Sequence, residues 1–288
     1  MAMFATRSGA AKFSLVVVIG LIVIKVAVGV ITGSISILAQ AADSFLDLIG
    51  IAITFFAAII AAKPADEEHP FGHGKVENVA AIIQAMLIFT AGGLIIYSAM
   101  RRIITGTTLE LTEAGIGVML VSIVISIFLS RHLLKVSRAA DSIALEASAR
   151  NIAADVYSAS GVLVGLVVIR FTGLSIIDPV IALLVSLIIL KAAYDVLRKS
   201  FGGLIDVKLP ETEENIIRSA IMEHAGEMIN FHELRTRKAG SQRYIDLHLV
   251  MPKDISVEEA HQMCDHLEQD IESKLRNTDV TIHVEPSD

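Results

Sequence analysis

Acidic side chains occur at helical spacing inside two apolar stretches of the chain. Asp43 and Asp47 are four residues apart, and Asn151 and Asp155 repeat that spacing. Residues four apart project from one face of a helix, so each pair would present its oxygen atoms together. An ionised acid at the centre of a bilayer costs at least about 2.5 to 3.5 kcal/mol and therefore needs a partner. A divalent cation bound by these oxygen atoms would be that partner; pairing with Lys25, or a purely structural polar core, is the alternative.

The stretches that hold these residues belong to a chain too apolar for a soluble protein of its size. Of its 288 residues, 53% are hydrophobic, and the mean hydropathy is +0.64. Six apolar runs approach or exceed the roughly 20 residues that a helix needs to cross a bilayer. The first run is too long for the apolar core of a signal peptide. We therefore expect a membrane domain made of six transmembrane helices.

Basic residues at the ends of these runs predict the orientation. Six spans place both termini on one side of the membrane. Nine flanking basic residues fall on that side and three on the other, and the positive-inside rule then puts both termini in the cytoplasm of a multi-pass inner (plasma) membrane protein. The nine are Arg7, Lys12, Lys63, Lys75, Arg131, Lys135, Arg138, Arg198 and Lys199, and the three are Arg101, Arg102 and Arg170.

The charge distribution separates a second domain from the first. Residues 1–203 hold 15 basic and 13 acidic residues, whereas residues 204–288 hold 9 and 18. We expect a transmembrane transport domain over 1–203 and a cytoplasmic metal-binding domain over 204–288. An acidic domain that contains six of the nine histidines suits cations as partners and argues against nucleic acid. The single Cys264 cannot form an internal disulfide, which is compatible with a reducing cytoplasm.

The second domain reads as two helices and three strands in the order αββαβ. Ala239-Gly240-Ser241 joins two strands as a hairpin, and Ser256 with Glu259 forms the capping box of the second helix. Alternation in the strands places His248, His283 and Glu285 on a polar face, opposite an apolar one. His232 and His261 could join them in a metal site. The alternative is a set of surface histidines on a solvated face.

Three motifs carry a resemblance to a known family. They are Ala42-Asp43-Ser44-Phe45-Leu46-Asp47, the segment His69-Pro70-Phe71-Gly72-His73-Gly74-Lys75-Val76-Glu77, and Asp155. On these residues the chain resembles the cation diffusion facilitator family over essentially its whole length. The resemblance implies six transmembrane helices followed by a cytoplasmic ferredoxin-like domain, assembled as a homodimer in the lipid bilayer that exports metal with protons as counter-ion. It also implies that the transport site consists of Asp43, Asp47, Asn151 and Asp155.

The same resemblance implies further sites outside the spans. Asp66, His69 and His73, in the loop between spans two and three, would form a second metal site, with a solvated polar loop as the alternative. Lys75 and Asp206 would belong to a charge interlock that holds the dimer. The regulatory binuclear site of the family would take the tail positions, which are His232, His248, His261, His283 and Glu285.

Asn151 departs from the family pattern, because many zinc-transporting members carry histidine there. The change replaces a nitrogen donor by an oxygen donor and leaves the formal ligand charge unchanged. All-oxygen sites suit harder ions, whereas imidazole favours zinc and its neighbours. We therefore expect Mn(II) or Fe(II) as cargo ahead of Zn(II), with Co(II) and Cd(II) as further candidates, and the metal also bound as a regulatory ion.

Two other classes of function compete with a secondary active transporter. A membrane-anchored metal sensor or scaffold would work through its C-terminal domain, but an anchor needs one span and not six. An intramembrane enzyme could use two aspartates as a protease, but that leaves the histidines unexplained. The chain has neither the H-E-x-x-H of a metalloprotease nor the G-x-x-x-x-G-K-[ST] of an ATP-driven pump. We therefore expect a transporter and not an enzyme.

Overall fold

Six long helices form the first part of the protein. The computed structural model describes residues 6–33, 35–105, 113–172, 176–224 and 230–287. Each of the six helices is long and apolar enough to cross a membrane, which confirms the six spans expected from the sequence. They are α1 (Arg7–Thr32), α2 (Ile35–Ala61), α3 (Val76–Thr105), α4 (Glu113–Ala140), α5 (Ile143–Thr172) and α6 (Ile177–Leu204).

The outer surface of these helices is apolar. Large side chains such as Ile31, Val124 and Phe171 are 84%, 66% and 85% exposed, respectively. A soluble protein does not leave so many large apolar groups in contact with water, whereas lipid tails solvate them without cost. The helices therefore belong to a multi-pass membrane protein.

Four of the helices share one apolar core. Val18 of α1, Ile51 of α2, Leu133 of α4 and Leu145 of α5 are buried together. α3 and α6 pack against α5 in a separate cluster, in which the small residue Ala154 of α5 is buried with Ile88 and Ile189. Small residues let helix backbones approach closely in a membrane, where water exclusion does not drive helix association. This packing sets α2 against α5, the two helices that carry the acidic pairs.

The chain folds into two compact units. The first contains residues 1–72 and 76–201, and the second contains residues 73–75 and 202–288. The second unit thus includes three residues from the loop between α2 and α3. Gly74 explains their position, because its Cα lies against the backbone at Ala239 and leaves no room for a Cβ.

The second unit has the order αββαβ that the sequence predicts. Its elements are α7 (Glu211–Glu223), β1 (Asn230–Ala239), β2 (Gln242–Met251), α8 (Val257–Lys274) and β3 (Thr278–Pro286). β1 pairs antiparallel with β2, and β3 pairs parallel with β2 on its other side. The capping box at Ser256 and Glu259 is present at the start of α8. This is the expected α+β layer of two helices on a three-stranded sheet.

The two faces of this sheet differ in character. Ile217 of α7 and Leu267 of α8 are fully buried against Leu247 and Leu249 of β2, so both helices cover one face. The other face carries the polar side chains of all three strands. A bulge in β1 between His232 and Arg235 shifts the phase of this strand, because two of its residues then oppose one on β2.

Candidate functional site

Side chains from α2 and α5 meet inside the helical unit. Asn151 Nδ2 donates a hydrogen bond to Asp47 Oδ1 at 3.0 Å, and the Asp155 carboxyl group faces Asp47 from one turn further along α5. Asn151 is only 6% exposed, so its amide is held within the packed helices. Each pair thus lies on one helix face, as its four-residue spacing predicts, and the packing of α2 against α5 brings the two faces into contact.

Asp43 lies one turn from this contact on α2 and faces the same cavity. Among the described residues, Asp43, Asp47 and Asp155 do not bring three ligand atoms within 4.8 Å of one another. Three of the four expected ligands are therefore in direct contact, and the fourth lines the same wall. A cation bound by all four would require rotamer changes of these side chains.

The acids open onto a cavity of about 440 Å³ between the helices. It is lined by residues of α1 to α5 and extends past Gln40 and Ser122 to Arg102. Because Gln40 lies near the start of α2 and Arg102 near the end of α3, the cavity extends toward the end of the bundle away from Arg7 and Leu204. Arg102, which the sequence analysis treated only as a flanking basic residue, thus belongs to the wall of this cavity.

Lys25 of α1 provides a positive charge within the cavity. Its Nζ donates a hydrogen bond to Ser44 Oγ at 2.7 Å, and Ser44 is adjacent in sequence to Asp43. The ammonium group interacts through space with Asp155, Asp47 and Asp43. The alternative prediction, in which Lys25 pairs with the acids, is therefore also supported by the structure. Lys25 interacts with the aspartates and lines the same open cavity.

In the loop between α2 and α3, one turn positions Asp66 and His69, which are two of the three residues expected as metal ligands. The backbone N–H of His69 donates to Asp66 Oδ1 at 2.7 Å, and His69 Nδ1 lies 3.1 Å from the same oxygen. Gly72, with a φ of +74°, closes the turn by donating to the His69 carbonyl at 2.8 Å. The chain divides after Gly72, so His73 belongs to the second unit.

Histidines from three strands form a row on the polar face of the sheet. His248 of β2 pairs in register with His232 of β1 and with His283 of β3, and the ring centroids are 5.2 and 4.8 Å apart. Glu285 accepts hydrogen bonds from His248 Nδ1 at 2.9 Å and from His232 Nε2 at 3.0 Å. The bond from His248, followed by that from His232, lowers the pKa of Glu285.

This cluster has the donor set of a metal site. One ligand atom each from His232, His248 and Glu285 lies within 4.8 Å of the other two, and His283 Nε2 is 3.8 Å from Glu285. Two imidazoles and a carboxylate suit zinc, iron or manganese. Strand alternation predicted the positions of His248, His283 and Glu285, and the register between the strands places His232, also a predicted candidate, beside His248.

His261 does not reach this cluster within one chain. It lies on α8, which covers the opposite, apolar face of the sheet. Its side chain is 75% exposed and its Nδ1 is 3.6 Å from Asp265. The sequence pattern placed a histidine on the second helix but could not say which face of the sheet that helix covers.

Glu233 is a neighbour of the cluster that the sequence analysis did not identify. Its carboxylate lies 3.8 Å from His248 Nε2 and 2.6 Å from Arg235. Its backbone has a φ of +51° and lies in the bulge of β1. Regular alternation would place Glu233 on the face opposite His232, so no sequence signal indicates this contact.

Lys75 and Asp206 meet within the second unit. Lys75 Nζ lies 2.9 Å from Asp206 Oδ1, and Arg237 lies 3.8 Å from the same oxygen. Both members of the first pair are about 40% exposed. The pair joins the loop residues 73–75 to the segment that follows α6.

Comparisons with known proteins cover both units. Residues 11–205 match the family model of the cation efflux transmembrane domain, and residues 209–287 match that of the cytoplasmic domain of cation efflux proteins. An uncharacterised transporter of Synechocystis is 33% identical over 91% of this chain and 85% of its own length. The cation-efflux pump FieF of Pectobacterium atrosepticum is 32% identical over 96% and 92%, respectively. A solved CzrB structure is 40% identical over 28% of this chain and 99% of its own, with a TM-score of 0.27.

Proposed function

The chain belongs to the cation efflux, or cation diffusion facilitator, family of membrane transporters, and from that premise we propose that it exports a divalent transition-metal cation in exchange for protons. The observation that supports this proposal is the cavity lined by Asp43 and Asp47 of α2 and Asp155 of α5, with Asn151 of α5 bonded to Asp47 beside it. Carboxylates in a membrane need a positive partner. A metal ion that moves through the cavity is such a partner, and protons are another.

Proton exchange follows from the contact between Asp47 and Asp155. Two carboxyl groups that face each other cannot both stay ionised without a cation between them. When the metal leaves, protons replace it and keep the site neutral, and when the protons leave, the site attracts metal again. Asn151 does not titrate, so the aspartates carry these protons.

Alternating access supplies the route of transport, and the proton gradient supplies its direction. The cavity extends toward the end of the bundle opposite Arg7 and Leu204. With both termini in the cytoplasm, as the basic residues predict, this conformation is the one that releases metal outward. A second conformation, open toward the termini, would load metal from the cytoplasm.

The donor atoms favour a hard cation. Asn151 offers a carbonyl oxygen where an imidazole would offer nitrogen, and together with three aspartates it makes an all-oxygen set. We propose Mn(II) or Fe(II) ahead of Zn(II) as the transported ion. The amide geometry agrees with this choice, since Nδ2 donates to Asp47 and thereby leaves Oδ1 of Asn151 available as a ligand.

The sites outside the spans are proposed to regulate transport. Metal held by His232, His248, His283 and Glu285 would offset part of the negative charge of the acidic domain and strengthen a homodimer, in which Lys75 and Asp206 contribute the charge interlock. Metal bound by the loop residues Asp66, His69 and His73 would add a further site near the entry to α3. Each regulatory effect would correspond to a coupling free energy between the regulatory metal site and the transport site.

The test is metal flux into proteoliposomes that contain the full-length protein. Mn(II), Fe(II), Co(II), Zn(II) and Cd(II) are compared with and without a pH gradient. We expect a pH gradient to accelerate flux, Asp47→Ala and Asp155→Ala to abolish it, and Asn151→His to shift the preference toward zinc. Asp195→Asn, which alters an exposed acid of α6 outside the cavity, serves as the control and should transport normally.

Two outcomes would contradict the proposal. Flux that ignores the pH gradient would exclude proton antiport. Unchanged flux after Asp47→Ala and Asp155→Ala would exclude transport through this site and would favour a membrane-anchored metal sensor, whose binding site is the histidine row of the second unit.

A further inference from the structure

A second cavity, of about 460 Å³, lies between α4, α5 and α6 on the outer side of the helical unit. We call it the arginine groove, after Arg131 and Arg138 of α4 and Arg150 of α5, which line it. Its other walls are mainly apolar and include Ile127, Leu134 and Ile189. No residue of the proposed transport site lines this groove.

The groove lies where the apolar part of α4 ends. Arg131 is 18 residues after Glu113, which corresponds to roughly 27 Å of helix and almost the full thickness of a hydrocarbon core. Ser130 Oγ donates a hydrogen bond to the Ala149 carbonyl at 2.8 Å, so Arg150 of α5 lies at a similar depth. The arginines are thus placed at the depth of lipid headgroups, and the apolar walls continue toward the acyl chains.

Positive charge in the groove exceeds the negative charge available to it. Within the part of the chain that the structure describes, neither Arg131 nor Arg138 has a hydrogen bond or an ion pair. Arg150 contacts Glu146 at 3.3 Å, but Glu146 also accepts a hydrogen bond from Lys199 of α6. One carboxylate therefore serves two basic groups, and two further arginines remain to attract an anion.

We propose that the arginine groove binds an anionic phospholipid, with its phosphate at the arginines and an acyl chain along the apolar wall. Arginine presents a planar fork of donors that matches phosphate oxygens. Basic pockets between transmembrane helices at the headgroup level bind anionic lipids for this reason. A bilayer supplies lipid phosphate at this depth around the whole protein, whereas a protein partner would have to place an anionic group at the same depth beside the arginines.

The test uses the purified full-length protein, stripped of lipid in a neutral detergent. Native mass spectrometry counts the copies of dioleoylphosphatidylglycerol that stay bound, with dioleoylphosphatidylcholine as the neutral comparison. We expect the wild type to retain the anionic lipid selectively. Arg131→Gln combined with Arg138→Gln should weaken its binding about 30-fold, since each basic group contributes about a fivefold effect.

Two matched controls accompany this measurement. Lys135→Gln removes a positive charge from the same stretch of α4 but from a residue that does not line the groove, so lipid binding should persist. Arg131→Lys with Arg138→Lys keeps the positive charge and should retain most of the lipid binding. If the double glutamine variant does not fold, the two single glutamine variants replace it, each with a loss of about fivefold.

Several results would overturn the proposal. Equal retention of the two lipids would show that the groove does not select for charge, and equal loss in Lys135→Gln would show that net charge and not the groove is responsible. Inorganic phosphate that displaces the lipid in full would mean that a free anion is the ligand. A change in the fraction of dimer, without any change in lipid binding, would identify the groove as an interface between two copies of the chain.

Discussion

Charge balance in the cavity depends on single residues. The carboxylates of Asp43, Asp47 and Asp155 carry three negative charges when ionised, and the ammonium of Lys25 offsets one of them. The remaining two match the charge of one divalent cation. In the proposed transport site, Lys25 would therefore set how strongly the cavity attracts metal, although its ammonium group is bonded to Ser44 and is not itself a ligand.

Replacing Lys25 by Met should strengthen metal binding. At an effective dielectric constant of about 20, a unit charge about 10 Å from a divalent ion changes its energy by about 3 kcal/mol. Allowing for rearrangement, we expect at least about a tenfold tighter equilibrium affinity, measured by isothermal titration calorimetry. Lys25→Arg keeps the positive charge, and its metal affinity should stay close to that of the wild type. Unchanged affinity in Lys25→Met would show that Lys25 does not act on the metal electrostatically.

Arg7 and Glu77 form a largely buried ion pair between α1 and α3. Arg7 Nη1 lies 3.3 Å from Glu77 Oε1, and the Glu77 side chain is fully buried. Removing one partner of a buried pair leaves an uncompensated charge. We expect Arg7→Ala to lower the free energy of unfolding by about 3 kcal/mol, measured by thermal unfolding in detergent. Lys12→Ala changes an exposed basic residue of the same helix and should have little effect.

A double variant separates the charge effect from lost packing. Glu77→Gln in the Arg7→Ala background removes the unpaired carboxylate and should recover part of the lost stability. Because Ser142 and the backbone of Ile143 and Ala144 also bond to Glu77, Glu77→Gln alone is measured as well. If the double variant loses the sum of the two single losses, the buried charge of Glu77 does not account for the cost of Arg7→Ala.

At the scale of elements, the loop after α2 depends on a close backbone contact. A Cβ at Gly74 would overlap the carbonyl oxygen of Ala239, at the turn between β1 and β2. Gly74→Ala should therefore separate residues 73–75 from the hairpin, at a cost of about 1 to 3 kcal/mol. Gly93→Ala is the control, because that position in α3 has open space around it. Limited proteolysis of the loop, together with thermal unfolding, measures the effect.

The packing of α8 on the sheet can be monitored at its single thiol. Cys264 is 7% exposed, and burial, followed by the nearby carboxylates of Glu268 and Asp265, raises its pKa. We expect its reaction with a maleimide to be much slower in the native protein than in the unfolded one. Fast native labelling would show that α8 separates readily from the sheet.

The same thiol predicts how stability depends on pH. Because the thiol pKa is higher in the folded state, the folded protein keeps a proton that the unfolded protein loses. The stabilisation that this proton provides is fully present below the thiol pKa of the unfolded state, which is about 8.5. It is lost as pH rises through that value toward the pKa of the folded state. Cys264→Ala should remove this part of the alkaline destabilisation in thermal unfolding measured from neutral pH upward.

At the scale of the molecule, the contact between Lys75 and Asp206 is proposed to matter for assembly more than for folding. Both side chains are about 40% exposed, and such pairs contribute at most about 1 kcal/mol. We expect Lys75→Gln and Asp206→Asn each to lower metal flux and the fraction of dimer, while the unfolding temperature changes little. Asparagine is chosen because residue 206 has a φ of +56°, which asparagine tolerates.

The double variant tests whether the two residues act together. Lys75→Gln with Asp206→Asn should be no worse than either single variant, since both remove the same ion pair. Additive losses in flux and in dimer fraction, measured by light scattering, would show that the two residues act separately.

Local patterns predicted much of this protein, because they arise from geometry that a short segment carries by itself. The length of an apolar run decides whether it can span a bilayer, and the spacing between Asp43 and Asp47 decides that they share a helix face. Alternation likewise placed His248, His283 and Glu285 on one side of the sheet. These features depend only on helix and strand periodicity, so the sequence determined them without reference to the rest of the fold.

The tertiary structure alone decided which of these faces meet. Asn151 bonds to Asp47 across 104 positions of the chain, the bulge brings Glu233 to His248, and α8 keeps His261 away from the other histidines. The arginine groove requires α4, α5 and α6 to come together around it. Such contacts depend on the packing free energy of distant elements, which no local propensity encodes. The pairs on α2 and α5 were therefore predictable as pairs, whereas the contact and the cavity between these helices were not.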